Sequence, residues 1–217
     1  MKNVAVILSG SGVFDGSELY ETVISLLAIR RAGAQYQCFA PDKEQLHVIN
    51  HLSGEVAEGE KRNVLVESAR LARGEIKPVT ECDPEAFDAL IIPGGFGAAK
   101  NLCTFAVDGA DSQPDEDVLK VCKAFAQSGK PAGYACIAPA LAASVYGNKV
   151  KLTIGNDTST AQTIEELGAQ HVECAVDEIV VDSDRKLVTT PAYMLAEDIL
   201  EAEAGLNKMV ETVLSMQ

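Results

Sequence analysis

The chain has 217 residues, is 47% hydrophobic and carries a net charge of −14. That length fits one large domain with a sizeable core. No Lys/Arg cluster offsets the charge, so nucleic-acid backbones and anionic membrane surfaces are excluded as partners.

Val4-Ala5-Val6-Ile7-Leu8 is a short continuous apolar run, as expected of a strand buried on both faces. Ser17 to Arg31 reads as a helix closed by Gly33, and Gln35 to Ala40 as a second strand stopped by Pro41. A helix over Asn63 to Arg73 ends at Gly74. Asp88 to Ile92 is a third buried strand, broken by Pro93-Gly94-Gly95. A helix over Asp115 to Gln127 precedes a small-residue strand, Pro131 to Ala135, which runs into Cys136 and a helix from Ala138 to Tyr146. Residues 158 to 167 form a further helix. Glu178 to Val181 and Leu187 to Thr190 flank a hairpin turn at Ser183-Asp184. Leu195 to Leu214 closes the chain as a long helix. This alternation predicts an α/β fold, one domain over residues 1–217, with a mostly parallel sheet and helices on both faces. Ligands in such folds sit at the carboxyl ends of the strands, here after residues 8, 92, 135 and 190.

No stretch reaches the roughly 18 apolar residues of a membrane span. The first apolar segment is too short for a secretory signal. The six cysteines (38, 82, 103, 122, 136 and 174) form no CxxC pair. Reduced thiols in a cytoplasmic protein are therefore expected, rather than a disulfide framework or a zinc cluster.

Cys136 lies on a strand-to-helix turn. Such a turn strains the backbone and pushes a nucleophile toward substrate. The start of the following helix is expected to favour the thiolate and lower its pKa. The other five cysteines read as packing residues. On the first helix, Leu19, Tyr20, Val23, Ile24, Leu26, Leu27 and Ala28 form a wide apolar arc. At about 100° per residue Glu21 falls on the edge of that arc and Glu18 further round on the polar side. Glu21 is thus the better candidate for a half-buried proton carrier. The Gly94-Gly95 turn can aim backbone N–H groups at a developing oxyanion. It is not a phosphate-binding loop of the Walker type, because no Gly directly precedes Lys100. Gly10-Ser11-Gly12-Val13-Phe14-Asp15-Gly16 fails the dinucleotide spacing, since Asp15 stands where the third glycine belongs. His47 and His51 could share a metal only on a helix, and no third ligand is evident. No metal and no cofactor are expected. Asn50 and His51, after the second strand, are candidate pocket residues.

Pro93-Gly94-Gly95, Cys136-Ile137-Ala138-Pro139 and the helix from Glu21 to Gly33 together resemble the PfpI-like superfamily of class I glutamine amidotransferase-like domains. The segments Leu8 to Glu18, Val48 to Glu55, Gly94 to Leu102 and Thr189 to Leu195 look like its ElbB branch, described as isoprenoid biosynthesis proteins and as glyoxalases. The resemblance implies a three-layer flavodoxin-like sandwich, commonly a homodimer. It also implies a cofactor-independent glyoxalase acting on a small dicarbonyl such as glyoxal or methylglyoxal. Carried over by position, Cys136 is the nucleophile, Glu21 the acid/base, and Gly94 and Gly95 line the oxyanion site beside Ile137. Where related peptidases and glutaminases place a histidine after the cysteine, this chain has Ile137, so those two activities are not expected. The alternative function is a non-enzymatic redox or metabolite-binding regulator linked to isoprenoid metabolism.

Overall fold

Three strand signals in the sequence, around residues 5, 90 and 133, become the centre of one seven-stranded sheet. The structure, a computed structural model, describes residues 1–216. In chain order the strands are β1 (Asn3–Ile7), β2 (Gln35–Ala40), β3 (Ile49–Asn50), β4 (Glu55–Val56), β5 (Ile76–Pro78), β6 (Ala89–Ile92), β7 (Ala132–Ala135), β8 (Lys151–Leu152), β9 (Gln170–His171), β10 (Val180–Asp182) and β11 (Leu187–Thr190). The helices are α1 (Leu19–Arg31), α2 (Val64–Leu71), α3 (Phe96–Lys100), α4 (Phe105–Asp108), α5 (Glu116–Gln127), α6 (Ala142–Tyr146), α7 (Thr158–Glu166) and α8 (Ile199–Ser215).

The main sheet runs β10-β11-β7-β6-β1-β2-β5. Every pairing in it is parallel except the β10–β11 hairpin. The central strands β6 and β7 are buried at every position, which is why they read as unbroken apolar or small-residue runs. Helices cover both faces. Gly133 faces Met209 and Val213 of α8, whereas Tyr134, next along β7 and hence on the opposite face, packs its ring 6.2 Å from Tyr146 of α6. Helix α1 shares the α8 face, where Arg31 and Glu203 form an ion pair at 3.0 Å. The result is the three-layer, flavodoxin-like sandwich that the sequence implies. No helix among the described residues is long and apolar enough to cross a membrane.

Acceptor side chains set the helix starts. Asn63, Asp115, Asp157 and Asp198 each accept a backbone N–H from the first turn of the helix that follows. Two departures from the sequence reading bear on the site. The stretch after Cys136 is not one helix. It is a 3₁₀ turn over Ala138–Leu141 followed by the five-residue α6. The segment between His47 and His51 is not helical either, because Ile49–Asn50 pairs as a strand with Glu55–Val56. A metal shared at helical spacing by the two histidines is thereby ruled out.

Candidate active site

Strand β7 ends at Ala135, and the next residue turns sharply. Cys136 has φ +58°, a left-handed conformation uncommon outside glycine. Its N–H donates to the Thr190 carbonyl at 2.9 Å, so neighbouring β11 pins the strained residue in place. Strain held at a strand end in this way is typical of functional positions. Cys136 is 7% exposed.

Glu21 lies beside Cys136 and is fully buried. Its Oε2 accepts the Gly94 N–H at 2.8 Å and its Oε1 accepts the Tyr193 N–H at 3.1 Å. The Cys136 thiol sits close enough to the same carboxyl for each to shift the other's titration. Burial pushes the Glu21 carboxyl up to about 7. The Tyr193 and Gly94 donors pull it down, and the nearby Glu18 charge raises it further. Burial also pushes the Cys136 thiol well above its usual value, and the Glu21 charge adds to that. The expected thiolate-stabilising helix is thus corrected. A single 3₁₀ turn follows the cysteine, and desolvation plus a neighbouring carboxylate outweigh the N–H groups of Gly95 and Ile137 that face the sulfur. The resting pair at neutral pH is a protonated thiol beside a carboxyl poised to titrate.

Gly94 explains how the two groups approach so closely. A Cβ at this position would lie 2.3 Å from the Cys136 Cβ and 2.8 Å from Glu21 Oε2. Only glycine fits between them. The Gly94 N–H is spent on Glu21, so Gly94 does not serve the oxyanion as expected. The donors available there are the N–H groups of Gly95 and Ile137.

Cys136, Ile137 and Gly95 open into a cavity of about 500 Å³, within the usual range for a small-molecule site. Val13, Phe96, Phe105 and Met194 give it apolar walls, and Glu18, Asp157, Thr160 and Tyr193 its polar points. Among the described residues, no Lys, Arg or His lines it. Glu18 was placed on the polar side of α1 by periodicity. It is in fact the N-cap of that helix, accepting the Glu21 N–H at 2.7 Å, and it faces the cavity. Burial raises its pKa, partly offset by the Glu21 N–H. Tyr193 was missed altogether. Only the suggestion that the loop after residue 190 lies at a strand end pointed to it.

His51 and Asn50 stand elsewhere. They line a separate cavity of about 350 Å³ with Glu60 and Arg62. The His51 Nε2 accepts the Phe14 N–H at 3.2 Å and Nδ1 faces the Ile49 carbonyl at 3.0 Å. The ring staples the Gly10–Gly16 loop to β3. The Asn50 Oδ1 accepts the Leu52 N–H at 3.0 Å, a local turn contact. Neither residue reaches Cys136.

The DJ-1/PfpI family model matches residues 5–202. The chain belongs to the DJ-1/PfpI family. A human relative named glutamine amidotransferase-like class 1 domain-containing protein 3, mitochondrial, is 47% identical over 98% of this chain and 82% of its own length. Among solved structures, an isoprenoid biosynthesis protein with amidotransferase-like domain from Ehrlichia chaffeensis superposes with TM-score 0.92 at 36% identity. That match covers 99% of this chain and 98% of the other. Glyoxalase III from Candida albicans shares the fold, with TM-score 0.64 at 15% identity over 99% of this chain and 96% of that one. The mitochondrial designation of the human DJ-1/PfpI relative does not support the cytoplasmic location inferred from the cysteines.

Proposed function

We propose that this DJ-1/PfpI protein is a cofactor-independent glyoxalase that converts a 2-oxoaldehyde to the corresponding 2-hydroxy acid. The observation that carries the reading is a strained, buried Cys136 paired with a carboxyl whose pKa of about 7 suits proton transfer at neutral pH. The Candida glyoxalase III lends support through its fold. Identity of 36% to the Ehrlichia protein supports membership of the ElbB branch.

In the proposed reaction the thiol gives its proton to Glu21 as Sγ attacks the aldehyde carbon. The new oxyanion lies against the Gly95 and Ile137 N–H groups and takes that proton back, forming a hemithioacetal. Glu21 then removes the C–H proton from the carbon bonded to sulfur and returns a proton to the adjacent carbon through an enediol. The first carbon is oxidised to a thioester and the second reduced to an alcohol, so no external oxidant is needed. Hydrolysis releases the 2-hydroxy acid.

The absence of histidine from the cavity lining argues against cysteine–histidine hydrolysis of peptides or amides. The test is conversion of methylglyoxal to lactate without added thiol. Wild type should turn over, and Cys136→Ala should lose at least about 1,000-fold in kcat while keeping its circular dichroism spectrum. Equal turnover by the variant would end the proposal.

A further inference from the structure

The glyoxalase reading leaves its last step without a base. Glu21 cannot activate the hydrolytic water, since it is fully buried and both its oxygens are held by backbone N–H groups. It is not among the residues that line the cavity from which water enters. None of the three histidines in the chain lines the cavity. Two carboxylates do, Glu18 and Asp157. Asp157 is bound to Thr160, caps α7 from an exposed position and has its pKa lowered by those contacts, which makes it the weaker base. Glu18 sits at the head of α1, one turn from Glu21, and shares the cavity wall with Cys136 and Ile137.

Resting on that reading, we infer that Glu18 is a second catalytic carboxylate, the general base that activates water to hydrolyse the Cys136 thioester. Water enters from the cavity and passes one proton to Glu18 as its oxygen bonds to the acyl carbon. The C–S bond breaks, the electron pair leaves with sulfur, the proton of the released carboxylic acid passes through Glu21 to the thiolate, and Glu18 returns its proton to solvent. The two glutamates therefore divide the reaction. Glu21 serves the sulfur side and Glu18 the water side. Glu18 caps α1 and Glu21 lies in its first turn, so one helix start supplies both carboxyls. Burial raises the Glu18 pKa above that of an ordinary carboxylate, which makes it the stronger proton acceptor of the two cavity acids.

The experiment compares wild type with Glu18→Gln, whose amide oxygen can still accept the capping N–H. Methylglyoxal turnover is followed, and acid-quenched protein is weighed as the intact chain with and without hydroxylamine. Glu18→Gln should lower kcat by about 100-fold and leave kcat/KM within a few-fold of wild type. A hydroxylamine-labile acyl group should accumulate on Cys136. Hemithioacetals reverse on acid quench and gel filtration, so only the thioester survives to be weighed. If the Gln variant fails to fold, Glu18→Asp carries the same readout, because aspartate also caps helices. Reduced kcat with trapped acyl enzyme supports the inference. An active wild type, with a folded variant that turns over equally or loses kcat and kcat/KM together without an adduct, overturns it and leaves the glyoxalase reading intact. A wild type that makes no lactate overturns both.

Discussion

Helices α1 and α5, of 13 and 12 residues, pack on opposite faces of one sheet and follow opposite rules. Helix α5 buries Val118, Val121, Cys122 and Phe125, the spacing of an ordinary amphipathic helix. Helix α1 turns Glu21, Thr22 and Ser25 inward with Ile24, Ala28 and Ile29, and leaves Tyr20 and Val23 each 53% exposed. Packing alone accounts for α5. On α1 the inward polar residues deliver a carboxyl to Cys136, at a cost in burial energy. A helix that breaks the local pattern among neighbours that keep it marks the site.

The largest effect that would sharpen this contrast belongs to α5. Phe125→Ala removes a fully buried ring and should lower unfolding stability by about 3–5 kcal/mol, read from the urea midpoint, with kcat per folded molecule unchanged. A selective loss of kcat would break the distinction between the two helices.

Helix α1 should instead show itself through pH. Folding raises the Glu21 pKa from 4.5 to about 7, so the folded state holds this proton more tightly than the unfolded chain. The associated stability is fully present below pH 4.5 and is lost as pH rises through about 7. The loss is on the order of 3 kcal/mol. Denaturation midpoints at pH 5 and pH 8 should reveal it in wild type, and Glu21→Gln should flatten the difference.

Two glycines, one within β7 and one in the turn after β6, offer a finer test. A Cβ at Gly133 would lie 2.8 Å from Ile91 Cδ1, and one at Gly94 would lie 2.9 Å from Cys136 Sγ. Either alanine should destabilise by about 1–3 kcal/mol through overpacking. Only Gly94→Ala should also silence turnover. Smallest of all, Val23→Gln on the exposed side of α1 should change stability by no more than about 0.5 kcal/mol. A larger loss would show that face covered in solution.

The fold was readable because buried parallel strands carry unbroken apolar runs, as at Val4 to Leu8 and Asp88 to Ile92, and because Gly33, Gly74 and Gly168 mark helix ends. The edge strand β5 escaped notice because Ile76–Pro78 is short and half-exposed, with no periodicity to detect. Cys136 and Glu21 were readable from turn chemistry and from helical phase. Glu18 fell on the polar side of α1 because periodicity ignores capping, which folds the first carboxylate of a helix back over its own N-terminus. His51 and Asn50 were assigned to the pocket because both follow a strand. The β3–β4 hairpin carries them to a different cavity. The lowered thiol pKa failed because sequence shows the turn and not the depth at which it lies.

The central claim is that Cys136 and Glu21 work as one proton-sharing pair, and the pH dependence of kcat/KM for methylglyoxal tests it most directly. Thiol attack needs Glu21 ionised to receive the proton, so wild-type kcat/KM should climb about tenfold per pH unit below the Glu21 pKa of about 7 and level off above it. Glu21→Gln should lose that inflection along with most of the rate. A wild-type profile flat from pH 5.5 to 8, or an inflection that persists in Glu21→Gln, would contradict the account.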